Sequence, residues 1–152
     1  MSRSVTVQDI AEELRQGALD GTDGVMAAVG RHYAAVVEIA HNPAMPTDGP
    51  MDRDTVLSRT GLEISAVRTA FVDYRPTTTI STAGDDITAA TRISGALTDG
   101  TEVDITSSVV YTVRDGEVVR ILSMVNPGDG PMILKAFALA GFTVPGGSDN
   151  AG

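Results

Sequence analysis

The feature that most narrows the fold is the stretch from Thr77 to Val125. Apolar and polar residues alternate there with period two through segments 77–81, 87–97, 103–113 and 117–125. Such alternation sends successive side chains to opposite faces, the mark of half-buried strands. Asp99-Gly100 and Asp115-Gly116 interrupt the segments, and this dipeptide supplies the positive φ values that tight hairpins need. The second half is therefore expected to be an antiparallel meander.

The first half changes period. Thr6 with Asp9 forms a capping signal, and Val7, Ile10, Ala11, Leu14 and Ala18 recur at helical spacing until Gly21. A second helix from Thr22 or Asp23 carries Val25, Met26 and Val29 and meets Gly30. Residues 34–39 are β-rich and stop at His41-Asn42-Pro43, after which Pro43, Pro46, Gly49 and Pro50 predict an irregular loop. Thr60 with Glu63 repeats the capping pattern, and Leu57, Ile64, Val67 and Phe71 predict a third helix. Pro131 suits the first turn of a last helix that Gly141 closes.

Helices before a meander predict an α+β fold with the helices gathered on one face of the sheet. Its 152 residues suit one domain, expected over 1–143 with a flexible tail at 144–152. Twenty acidic residues against eleven basic ones give a net charge of −9, which argues against nucleic acid as a partner. The absence of Cys removes disulfides and thiolate metal sites. No apolar run approaches the ~18 residues of a membrane span, so a cytoplasmic protein without membrane contact is expected.

This order of elements, with a short strand ending in His41-Asn42-Pro43 and a last hairpin reading Val113-Arg114-Asp115-Gly116-Glu117-Val118-Val119, resembles the nuclear transport factor 2-like superfamily. That group includes ketosteroid isomerases, SnoaL-type polyketide cyclases and limonene-epoxide hydrolases. The resemblance covers roughly residues 6 to 127. It implies a cone: a curved antiparallel sheet wrapped around N-terminal helices, with an apolar ligand pocket at one end. It does not imply one reaction. Where a ketosteroid isomerase would carry its carboxylate base, this chain has Asn42. Where it would carry the Tyr and protonated Asp of its oxyanion hole, the alignment finds Leu14 and Val109, and neither side chain donates a hydrogen bond. Where a limonene-epoxide hydrolase would pair an Arg with two Asp, Arg92 is kept but Ser94 and Ser123 replace the acids.

A two-residue turn at Asp99-Gly100 would set Arg92 opposite Ser107. For the next hairpin a two-residue turn pairs Val109 with Leu122, whereas a three-residue loop pairs Val109 with Ile121; the resemblance favours the second, which sets Ser123 opposite Ser107. Arg92, Ser107 and Ser123 would then form a polar strip on the hollow face. A guanidinium there needs an anion, either a ligand carboxylate or enolate or a structural partner such as Glu13 or Glu38. As the histidine near the pocket mouth, His41 is the candidate for moving a proton, with Asn42 orienting, although strand alternation turns only one of the two inward. The other reading of His41 is a surface histidine without a partner. Tyr111 is a candidate hydrogen-bond donor to a ligand carbonyl. The acidic group Asp48, Asp52 and Asp54 lacks the pattern of a calcium loop, and neither a metal nor a cofactor is assigned.

The expected outer face carries Ile87, Ala89, Ile93, Leu97, Leu122 and Met124, apolar enough to predict a homodimer through that face. The function expected is binding of a hydrophobic polyketide-, steroid- or terpenoid-like molecule, with isomerase or cyclase chemistry by proton transfer. A non-catalytic binding or assembly module of the same fold is the alternative.

Overall fold

A computed structural model describes residues 5–42, 44–126 and 128–141. Helix α1 (Val7–Ala18) begins as its sequence dictates. The Thr6 hydroxyl accepts from the Asp9 N–H at 3.1 Å and the Asp9 carboxylate accepts from the Thr6 N–H at 3.0 Å, a reciprocal capping box. It buries Ile10, Ala11 and Leu14. Helix α2 (Gly21–Gly30) lies so close that a Cβ on Gly24 would sit 1.9 Å from the Gly17 carbonyl oxygen; glycine at both positions permits this approach.

Strand β1 (Tyr33–Asn42) is followed by β2 (Gly49–Asp52), which pairs with it antiparallel. The segment after His41 is therefore not irregular throughout, because Gly49 and Pro50 open a short edge strand where a lost ladder donor costs little. Helix α3 (Arg53–Thr69) starts seven residues before Thr60. Its cap is Asp52, whose carboxylate accepts from the N–H and hydroxyl of Thr55 at 3.0 and 2.7 Å. Thr60 and Glu63 lie within the helix, and Phe71 opens strand β3 (Phe71–Ala83) instead of extending α3.

The meander continues through β4 (Asp86–Leu97), β5 (Glu102–Arg114) and β6 (Glu117–Val125), and α4 (Gly130–Leu139) closes the described chain. The six strands run in the order β2-β1-β6-β5-β4-β3. All neighbours are antiparallel except β1 with β6, so the curved sheet is mixed and the fold is α+β. The segment 144–152, expected as a tail, lies outside the described residues.

Both hairpin registers differ from expectation. At the first, Leu97 pairs with Thr101 around the three residues Thr98-Asp99-Gly100, with Gly100 at φ +90°, so Arg92 lies opposite Thr106 and not Ser107. A one-residue slip sends every side chain of the strand to the other face. At the second, Asp115 and Gly116 both take positive φ in a two-residue turn, as its sequence allows. Val119 is then an extra residue, since Val113 pairs with Val118 but Thr112 pairs with Arg120. The bulge sets Val109 opposite Ser123 and Ser107 opposite Val125, which is neither of the two expected registers.

These registers decide which face is buried. Ile87, Ala89, Ile93 and Leu97, expected on the outer face, point inward and join the core. One apolar cluster packs α1, α2 and β1 on the sheet around Ile10, Leu14, Val29, Val37, Ile87 and Val118. A second gathers Phe71, Leu97, Val103 and Ile105 with Ala136 of α4. Among the described residues, no helix is long and apolar enough to cross a membrane.

Candidate functional site

Between the two apolar clusters the hollow face of the sheet turns polar. Along β1, Val37 is fully buried and Ile39 packs against the larger cluster, so alternation points His41 inward as well and Asn42 outward. Directly paired residues of neighbouring strands share a face. His41 pairs with Ser123, Ser123 with Val109, Val109 with Ala89 and Ala89 with Ile80. The adjacent row reads Val125, Ser107, Thr91 and Thr78, and the last two join hydroxyls at 2.9 Å. His41, Ser123, Ser107, Thr91 and Thr78 thus form a band of polar side chains across five strands.

His41 has the partner that its sequence context did not reveal. Asp48, across the loop, turns one carboxylate oxygen to the His41 Nδ1 at 2.5 Å. Its other oxygen accepts from the backbone N–H groups of His41 and Met45 at 3.1 and 3.0 Å. These bonds hold the carboxyl below the usual aspartate range: the Met45 N–H contributes most, burial opposes it as the next largest effect, and the His41 ring and N–H add to the lowering. The carboxylate fixes the imidazole ring, and with Nδ1 as the donor to Asp48 the Nε2 is left as a base.

Glu63, whose spacing from Thr60 suggests a cap and not a site residue, lies inside α3. It lies on one helical stripe with Val56, Thr60, Val67 and Ala70, of which Val56 belongs to the larger cluster while Ala70 and Val67 belong to the smaller. Burial pushes its carboxyl up, and the charges of Arg59 and His41 pull the other way. It makes no hydrogen bond with any described residue. The signal for it is an acid on a stripe that also carries Val56, Val67 and Ala70.

Arg92 is not part of this band. It stands on the outer face with its side chain 67% exposed and donates to both oxygens of Asp104 on β5 at 2.8 and 2.7 Å. The correction follows from the slipped hairpin: an even-numbered residue of β4 faces out. Its partner is thus Asp104 and not Glu13, which holds Arg31 and His32, or Glu38. Asn42 also faces away from the band. Ser107 and Ser123 both face the hollow side but are not opposite each other. Leu14 is fully buried in the larger cluster and Val109 packs against that cluster. Tyr111 is 7% exposed within the same cluster, where burial raises its phenol to about 12 and keeps it neutral.

Two open concavities lie elsewhere. One of about 620 Å³ runs between α1 and α2 and is lined by Asp9, Glu12, Glu13 and Asp20. The other, about 500 Å³, is lined by Asp73, Arg75, Glu102 and Asp104. Among the described residues no group of three or more His, Asp or Glu side chains is arranged to hold a metal ion.

No family model matches the sequence, and no curated protein resembles it in sequence. Solved structures do resemble the fold. A protein from Jannaschia described as a SnoaL-like polyketide cyclase superposes with a TM-score of 0.57 at 14% identity, over 91% of this chain and 98% of its own. An NTF2-like protein of unknown function from Burkholderia pseudomallei gives 0.56 at 14% identity, over 86% and 96%. A protein with a cystatin-like fold from Xanthomonas campestris gives 0.56 at 15% identity, over 88% and 98%. The chain therefore has the nuclear transport factor 2-like, cystatin-like fold. At such identities the likeness speaks for architecture alone.

Proposed function

We propose that the polar band on the hollow face binds a hydrophobic small molecule and that His41 moves a proton on it, an isomerase- or cyclase-type reaction. The observation that carries this reading is the inward His41 ring held at Nδ1 by Asp48, next to Ser123 and flanked by apolar clusters. In the reaction, Nε2 takes a proton from a carbon next to a carbonyl. The C–H electron pair becomes the enolate double bond, the carbonyl π pair moves to oxygen, and the imidazolium, after exchanging its Nε2 proton with solvent, returns a proton to carbon. Asp48 stays charged and stabilises the imidazolium formed in between. This role is assigned to His41 with Asp48, whereas Asn42 and Arg92 point away from the band. The description of the Jannaschia protein is consistent with such chemistry.

The test is exchange of the α-protons of 2-tetralone for deuterium, followed by proton NMR. The protein accelerates exchange, and His41→Gln removes the acceleration while leaving the fold intact. Equal exchange rates for the two proteins sink the reading.

A second reading, assembly, rests on the outer face. Ala40, Leu122 and Val110 form one cross-strand row and Met124 with Ala90 lies beside it, all between polar neighbours. A symmetric homodimer through this face would cover them. Sedimentation of the wild type against Leu122→Glu tests it, and a monomer in both cases removes it.

A further inference from the structure

We propose that Asp115-Gly116, the turn between β5 and β6, is a self-modifying site at which aspartate rearranges to isoaspartate through a cyclic imide. The chain holds six Asp-Gly pairs, at 20–21, 23–24, 48–49, 99–100, 115–116 and 129–130. Glycine leaves the main-chain nitrogen after each aspartate unshielded by a β-carbon, so the sequence alone ranks the six equally. The fold separates them. In the reaction the Gly116 nitrogen bonds to the Asp115 Cγ, and the amide hydrogen leaves with the carboxyl O–H as water, closing the ring. Water then adds at the former main-chain carbonyl of Asp115 and breaks its bond to the Gly116 nitrogen, so the chain runs on through Cγ. One water is lost and one is gained, and nothing is oxidised or reduced. Two conditions follow: a carboxyl free to turn onto the nitrogen, and an N–H not held in a hydrogen bond.

Four of the pairs fail on the first condition. The Asp23 carboxylate lies 2.7 Å from the Arg68 guanidinium, Asp48 is bonded to His41 and Met45, and Asp129 accepts from the Thr106 N–H at 3.1 Å. Asp99 accepts from the Thr101 N–H at 2.9 Å, and there the second condition fails too, because the Gly100 N–H donates to the Leu97 carbonyl at 2.9 Å. Asp20 carries no such side-chain bond, yet it caps α2 where the two helices meet backbone to backbone. Its own N–H donates to the Gly17 carbonyl at 2.9 Å, and a Cβ on Gly24 would lie 2.9 Å from the Asp20 Cβ. The rotation that ring closure requires would push α1 from α2. Asp115 has none of these restraints. It is exposed, and neither its carboxylate nor the Gly116 N–H makes a hydrogen bond with a described residue. Its φ of +53° is also the one positive value at a non-glycine position among the described residues. That backbone crowds Cβ against the following carbonyl oxygen, so departure from it relieves strain.

The test incubates the full chain in water enriched in heavy oxygen, at neutral pH and body temperature, once folded and once unfolded in guanidinium. Mass spectrometry with electron-transfer fragmentation then locates isoaspartate and the label residue by residue. The folded protein accumulates isoaspartate at residue 115 severalfold faster than at any of the other five pairs, and each converted residue carries one heavy oxygen. In the unfolded chain that advantage disappears, since it comes from the fold and not from the dipeptide. Asp115→Glu, whose longer side chain would have to close a larger ring, removes the signal at that position and leaves the slow reaction elsewhere unchanged. A folded protein in which another pair reacts first, or in which residue 115 is still unconverted when the unfolded chain has reacted, overturns the proposal. An equal advantage of residue 115 in the unfolded chain, or isoaspartate there without the label, does the same.

Discussion

Substituting Ala for Gly24 and, separately, for Gly61 puts the same methyl group into two helix interiors with opposite outcomes. In a helix the change from Gly to Ala is worth about 0.5–1 kcal/mol through reduced freedom of the unfolded chain. At Gly61 in α3 a Cβ meets nothing within 4 Å, so that gain is realised in full. At Gly24 the new carbon would sit 1.9 Å from the Gly17 carbonyl oxygen and 2.8 Å from its carbon. Those are backbone atoms and cannot rotate away; α1 and α2 must separate. Overpacking of this kind costs about 1–3 kcal/mol, leaving a net loss of about 0.5–2 kcal/mol. With about 2–4 °C per kcal/mol for a chain of this size, Gly61→Ala melts a few degrees higher than wild type and Gly24→Ala a few degrees lower. Thermal and urea unfolding followed by circular dichroism measure both. A Gly24→Ala protein as stable as Gly61→Ala would refute the packing of α1 on α2 described above.

Leu14→Ala, at a fully buried position of the larger cluster, should cost about 2–5 kcal/mol in urea unfolding, and a loss under about 1 kcal/mol would place Leu14 on a collapsible or hydrated wall. Hydrogen bonds from the Thr101 hydroxyl and N–H, with the Lys135 ammonium 3.0 Å away, hold the Asp99 carboxyl at about 2 against its ordinary 3.8. A depressed carboxyl contributes stability that is present above its unfolded value and lost as pH falls through the folded one. The difference in urea midpoint between wild type and Asp99→Asn should therefore be flat above about pH 4 and shrink toward pH 2; a difference constant over that range contradicts the assignment.

A local signal decides the structure at Thr6 with Asp9, whereas Asp115-Gly116 announces a turn but not its form: the three-residue loop favoured there is a two-residue turn with the extra residue at Val119. Thr60 with Glu63 misled because the same spacing recurs inside helices, and the operative cap, Asp52, stood in a segment whose Pro and Gly content suggested loop. The Asp-Gly at 99–100 announced a turn but not its length, and one residue of length moved Arg92 from the hollow face to the outer wall. A second signal could have corrected it. The expected register sets Ser94 against Ile105, whereas the observed one sets Ile93 against Ile105, apolar against apolar. Asp48 was out of reach, because nothing in a seven-residue separation across a loop says that a carboxylate returns to a histidine ring.

The extra residue Val119 has a wider consequence. Val118 and Ile121 are both buried although three positions apart, because the alternation changes phase between them. Were Val119 taken into the ladder instead of bulging out of it, the downstream half of β6 would turn through half a revolution, carrying Leu122 and Met124 inside and Ser123 out. What lines the hollow is thus written in the count of residues since the last turn as much as in their chemistry. Deleting Val119 outright would instead leave a regular ladder with Ser123 still inside, so the wet lining survives loss of that codon but not a flattening of the bulge.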